Sequence, residues 1–515
     1  MKRIYILCLL ALLFLWSACE EEPNIGNVGA TISVNRNPSA VAPLTAMLSV
    51  TTQVDVSIHL RVIGKNGENS DVNNRFDEFG REFELPVLGL YADHENEVEL
   101  TFFDGANQEL GKEIVKISTN GLINDMPEVS VQTSNIGAMA PGFNLVNYFG
   151  FAENFNPQRA LMFDAYGDIR WYLNYSGHPR LANLFYDNGM IRLQNGNLFF
   201  GDGSTGSVYE INMLGEIQNS WSLKGNGFHH MVLEKPNENF LVTVNDPNKF
   251  TVEDLIIELD RNSGNIVNRW DLTLSLDKDR RAWDTDLANT NVDWMHANGV
   301  AYSEIDDCII VSGRTQGTVK LTASNEPVWI IAPHKGWETS GNGNDLKQYL
   351  LQPLDAMGQP ILDSLVLNGE ENHPDFEWAW YQHSPIILPN GNVMLFDNGD
   401  NRNYSANGFS GPFSYSRAVE YKIDEENMTI QQVWSYGKGR RNETYSRIVS
   451  KVLYYENEDN VLFTPGAVAF NGEQYGKVLE IDKQSGQVVF EAKVKAPIAP
   501  FNITFHNIYR YTMYP

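Results

Sequence analysis

The chain has 515 residues, with 65 acidic against 38 basic side chains and a formal net charge of −27. That length allows more than one domain with an ample core. The acidic balance speaks against nucleic acid or an anionic lipid surface as partner, since both attract clustered Lys and Arg. An anionic small molecule would need local positive groups.

The N-terminus has the form of a bacterial lipoprotein signal. Lys2 and Arg3 precede the apolar run IYILCLLALLFLW, and small residues lead to Cys19. Residues 1–18 are then a signal peptide cleaved before a lipidated Cys19, and the acidic stretch 19–26 is a tether. The competing reading is an uncleaved anchor helix. No other apolar run is long enough to cross a bilayer. The protein is therefore expected in the bacterial cell envelope, facing the periplasm or displayed on the outer-membrane surface, and membrane-bound only through its lipid. With Cys19 lipidated and Cys308 in a predicted buried strand, no intrachain disulfide is expected. Oligomeric state stays open, a homodimer among the options.

Plentiful aromatics, frequent glycine and many short apolar runs read as all-β. Residues 27–125 alternate or are β-branched in AMLSVTTQVDVSIHLRVIG, FELPVLGLY and EVELTFFDG. They predict a small antiparallel β-sandwich, with His59 and His94 in packing or surface roles.

From 126 to 515 a repeat appears. A strand, a turn and a strand ending in an aromatic recur at Trp171, Trp221, Trp270, Trp329, Trp434 and Phe490. With a second hairpin per repeat, these markers predict a six-bladed β-propeller. The interval between Trp329 and Trp434 is about twice the others. Residues 334–378 read as an insertion beside His383, in the manner of a lid; a degenerate seventh blade is the alternative.

The inner hairpins carry the candidate chemistry. In WYQHSPIILPNGNVMLFDNG, His383 opens an apolar strand that turns at Asn390-Gly391. His230 lies six residues before Pro236, as His383 lies six before Pro389, and His296 lies four before Val300, as His383 lies four before Ile387. Equivalent blade positions converge on the axis, so these histidines would share one pocket. Arg314 follows on the strand after His296.

Three readings fit this set. Three histidines suit a zinc site, although Asp293, Asp397 and Asp400 are scattered and an arginine beside a metal is unfavourable. A neutral imidazole is a nucleophile near pH 7, and arginine with protonated histidines would stabilise a transferred oxyanion group, phosphoryl or sulfuryl. Structural histidines at blade seams are the third. No P-loop occurs, so a nucleotide donor is disfavoured.

Larger stretches resemble the bacterial aryl-sulfate sulfotransferases that do not use PAPS. They are FHHMVLEKPNENFLV, DWMHANGVAY with DDCIIVSGR, FEWAWYQHSPIILPNGNVMLFDNG, YSRAVEYKIDEENMTIQQVWSYGKGR and, near the N-terminus, LPVLGLYADHENEVELT. The likeness covers nearly the whole mature chain. It implies a small N-terminal β-domain, a six-bladed propeller and ping-pong sulfuryl transfer from a phenolic sulfate ester to a phenol, with no cofactor and no metal. His383 would be the transiently sulfated nucleophile. His296 and Arg314 would bind the sulfuryl oxygens, and a histidine of the HH pair would assist. The register favours His230 over His229; Asn298 would add a polar contact. Family members can carry a short disulfide loop before the nucleophile, whereas DSLVLNGEENHPDFEW has no cysteine. Two other classes compete: a lipid-anchored propeller that binds small aromatic or anionic ligands without turnover, and a quinone-dependent propeller dehydrogenase. The latter is disfavoured by the lack of adjacent cysteines and the low blade count.

Overall fold

The computed structural model describes residues 28–149, 157–280, 292–400, 402, 414–497 and 503–515. The expected signal segment, Cys19 and the tether all lie outside the described residues. Among those described, regular structure is nearly all strand, with two four-residue α-helices at Leu272–Ser275 and Ser364–Leu367 and short 3-10 turns at Glu68–Ser70, Leu346–Tyr349 and Lys438–Glu443. No described helix is long and apolar enough to cross a membrane.

Five strands form the N-terminal sheet: Thr31–Arg36, Ala46–Val62, Val72–Val87, Glu95–Phe103 and Glu109–Ser118. Hydrogen bonding joins them into one sheet because Ala46–Val62 serves two neighbours on one edge. Thr31–Arg36 pairs with its first half and Glu95–Phe103 with its second. Register breaks against Val72–Val87 fall between Thr51 and Ile58, and such breaks bend a strand. His59 and His94 are half-buried here.

Six further sheets of four or more strands follow, and we number them I to VI. Sheet I contains Phe143–Tyr148, Arg159–Phe163 and Ile169–Tyr172, and its first strand is the C-terminal Phe505–Tyr511. Sheets II, III and IV start at Ile191, Gly227 and Ala297. Sheets V and VI start at His383 and Lys451. Glu128–Ser134 pairs with the outer strand Val488–Lys495 of sheet VI. Both ends of the repeat region are thereby stitched together in an all-β, propeller-like arrangement.

The marker aromatics are inter-sheet staples. Each outer-strand tryptophan donates from its indole N–H into the last turn of the following sheet. Trp171 reaches the Met213 carbonyl at 2.7 Å, Trp221 that of Arg261 at 2.7 Å and Trp270 that of Thr322 at 2.8 Å. Trp329 reaches Glu425 Oε1 at 2.7 Å, and Trp434 the Lys483 carbonyl at 3.1 Å. Phe490 of sheet VI, lacking a donor, stacks with Phe163 of sheet I at 6.5 Å between ring centres. Third-strand glutamates clamp the first turns: Glu210 accepts from Asn195, Glu258 from Asn239, Glu420 from Asn392 and Glu480 from Asn460. Replacing Trp171 with Phe keeps an aromatic ring but removes its donor and leaves a void. The denaturant midpoint should fall by the equivalent of about 1–3 kcal/mol, with the transition slope unchanged.

The first strands of all six sheets line one cavity of about 620 Å³, through Ile191, Met231, Val300, Pro385, Leu453 and Tyr509 among others. The insertion 334–378 forms no further four-stranded sheet among the described residues. Gln352–Leu354, continuing the same loop, pairs in parallel with the outer strand of sheet V. Val366, Phe376 and Trp378 join the core between sheets IV and V. Apolar anchoring thus ties the segment to the outer edge of sheet V and to the core. The N-terminal sheet docks on sheet I through Arg170, which donates to the carbonyls of Gly89 (2.8 Å) and Ser70 (3.0 Å) and lies 3.6 Å from the Tyr91 ring centre.

Candidate active site

Four first strands break register at their histidine or within two residues of it. The breaks fall between Phe228 and Val232, Ala297 and Gly299, His383 and Ile386, and Phe505 and Ile508. A bulge re-aims the side chains at its centre. The backbone is strained at the same level. His230 (φ 50°), His296 (53°), Asp187 (51°), Glu253 (55°), Tyr381 (54°) and Ser384 (55°) are all left-handed. Such conformations cost roughly 1–3 kcal/mol each and persist only where the surroundings enforce them.

His230 and His296 meet with their Nε2 atoms 3.2 Å apart. Three carboxylates frame them. Asp187 bridges His230 Nδ1 (3.0 Å) and His506 Nε2 (3.2 Å). Glu253 approaches His230 Nε2 at 3.2 Å and His296 Nδ1 at 2.6 Å. Asp293 lies 2.6 Å from His296 Nδ1 and 3.9 Å from the Arg314 guanidinium. Burial alone would lower the pKa of His230, but Asp187 and Glu253 outweigh it and raise it well above the usual imidazole value. Burial alone would likewise raise Asp187; the facing imidazoles of His230 and His506 hold it well below the usual carboxylate range instead. His230 is therefore held as an imidazolium, with Nε2 hydrogen-bonding toward Glu253 and Nδ1 facing the Asp187 carboxylate. His229 is buried beside it with neither ring nitrogen hydrogen-bonded, and burial drives its pKa down to about 4.

The sign of this linkage gives a test. The His230 contribution to stability is complete below about pH 6.5 and is lost as pH rises through its elevated pKa. The Asp187 contribution is complete above about pH 3.9 and is lost as pH falls. The stability gap between wild type and Asp187→Asn should be widest between those limits in pH-dependent denaturation.

His383 is held differently. Its Nδ1 lies 2.8 Å from Asn398 Oδ1 and 3.1 Å from the Tyr381 carbonyl. Both are acceptors, because the Asn398 amide nitrogen donates to the carbonyls of Ser446 (2.8 Å) and Val449 (2.9 Å). Nδ1 must carry the proton, and Nε2 presents the lone pair. Burial pushes the His383 pKa well below the imidazole norm, and the charges of His506, His230 and Arg314 add to the effect. The ring is neutral near pH 7.

Sheet V is stitched to sheet IV beside this residue. Gln382 donates to the Gly313 carbonyl at 2.9 Å, and its own carbonyl accepts from Asn298 Nδ2 (3.0 Å) and Ser312 Oγ (2.9 Å). Arg314 follows Gly313 and donates its backbone N–H to the His296 carbonyl at 3.1 Å. The predicted residues His229, His230, Asn298, Arg314 and His383 are thus buried around the ends of these first strands, and His296 is half-buried beside them. Of the scattered carboxylates, Asp293 joins the cluster, whereas Asp397 pairs with Arg417 (2.6 Å) and Asp400 with Arg447 (2.9 Å).

The SRAVEY stretch, Ser416 to Tyr421, is scaffolding for the His383 segment. Ser416 Oγ donates to the Asn398 carbonyl at 2.7 Å. Arg417 binds Asp397 and the Glu377 carbonyl (2.9 Å), and Tyr421 donates to that same carbonyl at 2.6 Å. Asp397 in turn receives the Trp380 N–H at 2.9 Å. Glu377 also pairs with Lys438, and despite burial its cationic neighbours bring its pKa down to about 2. The segment before His383, which has no cysteine, is fixed by this network and by Trp378, whose indole donates to the Val366 carbonyl at 2.9 Å.

Sequence reasoning missed His506, Asp187, Glu253 and Asn398. His506 had a signal: a histidine opening an apolar strand, as in the other three copies. Three donor sets lie within 4.8 Å and have the makings of a cation site: Asp187/His230/His506, His229/His230/Glu253 and Glu253/Asp293/His296. Most of these atoms already pair with one another, imidazole to carboxylate.

The arylsulfotransferase (ASST) family profile matches residues 128–506, and the arylsulfotransferase Ig-like domain profile matches residues 33–120. The chain is 30% identical to the arylsulfate sulfotransferase AssT of Escherichia coli O6:H1, over 92% of this chain and 91% of that protein. It is 29% identical to the AssT of Lelliottia amnigena, over 91% of this chain and 90% of that protein.

Proposed function

The chain belongs to the arylsulfotransferase family, and we propose on that premise that it moves a sulfuryl group from a phenolic sulfate ester to another phenol through a sulfohistidine. His383 Nε2 attacks sulfur. The N–S bond forms as the S–O bond to the aryl group breaks, and a phenolate leaves with the electron pair. An acceptor phenol then gives up its proton and attacks the same sulfur, returning the lone pair to Nε2. Arg314, His296 and the His230 imidazolium offset charge on the sulfuryl oxygens; His229 and Asn298 line the pocket. His506, which burial keeps below the imidazole norm, is our choice of base for the acceptor proton.

The observation that carries this reading is the neutral, tautomer-fixed His383 within the field of buried cations. A nucleophile needs its lone pair free, and the transferred group needs positive charge around it. In this reading the six sheets are blades about one axis, spanning 126–515 behind the domain 27–125. Cys19 carries the lipid that holds the protein in the cell envelope. The deciding assay mixes the purified protein with a phenolic sulfate and a second phenol, without a nucleotide donor. Transfer with parallel double-reciprocal lines is expected. Intersecting lines would refute the covalent intermediate.

A further inference from the structure

The cavity ringed by the six first strands begins just beyond the histidines: Met231 follows His230, and Pro385 comes two residues after His383. Its wall is largely apolar and aromatic, with Leu233, Pro236, Tyr302, Tyr509 and Tyr511. A volume near 620 Å³ falls in the range of small-molecule sites.

Four charged side chains line it: Arg192, Glu234, Glu304 and Lys451. Glu234 is neutralised by Arg261 at 3.0 Å and also accepts the Gln194 N–H at 2.7 Å. Glu304 is exposed to solvent. Arg192 donates to the Thr512 carbonyl at 2.7 Å and lies 5.0 Å from the Tyr511 ring centre. Lys451 is 5% exposed; its ammonium meets the Ser384 hydroxyl at 3.2 Å and lies 4.6 Å from the Tyr509 ring centre. Among the described residues, neither cation has a carboxylate within ion-pair distance; their partners are the Thr512 carbonyl and the Ser384 hydroxyl.

Lys451 stands at the histidine register of sheet VI. It precedes Asn460 by nine residues, as His383 precedes Asn392 and His230 precedes Asn239. The histidine strands break register there, but Lys451–Tyr455 pairs without interruption from Thr464 to Asn460. The unbroken strand leaves Lys451 among the cavity-lining residues. A buried ammonium with only a hydroxyl and a ring for company is costly unless an anion completes it. Burial accordingly lowers the Lys451 pKa to about 8.

We propose that this cavity is a second ligand site, which takes a small aromatic monoanion with its ring among the tyrosines and prolines and its anionic group on Lys451. The site is separate from the sulfuryl-transfer reading and stands or falls without it. The probe is 2-naphthalenesulfonate, whose C–S bond offers nothing to transfer. Calorimetric titration is done on an Arg314→Gln, His383→Asn background, so that the first site is silenced. Binding should persist on that background. It should weaken at least ten-fold on adding Lys451→Met, or on adding Leu453→Trp, which fills the cavity and keeps the ammonium. If Lys451→Met fails to fold, the Leu453→Trp arm decides. The proposal is overturned if the background does not bind the probe, or if the folded cavity variants bind it as tightly as the background does.

Discussion

His383→Asn is expected to eliminate transfer between phenols, by roughly 10,000-fold or more, with little change in melting temperature. Losses of that size follow removal of a covalent nucleophile when the rest of the machinery remains. Asparagine is smaller and polar, and its amide can still donate toward Asn398 Oδ1 and the Tyr381 carbonyl, which now receive the His383 Nδ1 proton. The adjacent His230 does not replace it. Both nitrogens of His230 are engaged by carboxylates, and a protonated ring has no lone pair to offer. If these histidines served only as packing at sheet seams, the variant would instead lose stability and retain its activity in proportion to the folded fraction.

Arg314→Gln should lower kcat by roughly 100- to 1,000-fold, the usual effect of removing one preorganised charge from a developing oxyanion. This buried guanidinium lies 3.9 Å from Asp293. A second readout separates electrostatics from positioning. Burial is the largest cause of the depressed His383 pKa, and the Arg314 charge contributes in the same direction. Removing that charge lets the pKa rise, so protonation of the nucleophile sets in sooner as pH falls. The acid limb of kcat/KM should move to higher pH in Arg314→Gln, whereas in wild type it should lie below the pH of about 6.5 typical of free imidazole. A purely structural role for Arg314 would leave that limb in place.

The register of His230, His296 and His383 was legible because Pro236, Pro389 and Asn390-Gly391 fix where each hairpin turns, and strand count does the rest. His506 was harder to place. Its strand pairs with Phe143–Tyr148, and the bonded residues Asn147 and Asn507 are 360 positions apart. No local turn announces such a closure. Asp187 and Glu253 were invisible among 65 acidic residues; both lie in loops with left-handed backbones, which no sequence pattern marks. The tryptophan markers were legible as a repeat, but not as staples, since each acceptor belongs to the next sheet. The packing of the loop before His383 was not legible, for a physical reason. Its buried apolar residues, among them Trp337, Leu346, Leu351, Val366, Phe376 and Trp378, are interspersed with polar ones, and they decide where it packs.

The most direct measurement is peptide mass spectrometry on protein quenched soon after mixing with a phenolic sulfate and no acceptor. A mass increase of one SO₃ unit on the peptide carrying His383, erased by later addition of a phenol, is the predicted result. Active enzyme with an unmodified His383 peptide under those conditions, or with the adduct on another residue, would contradict the account.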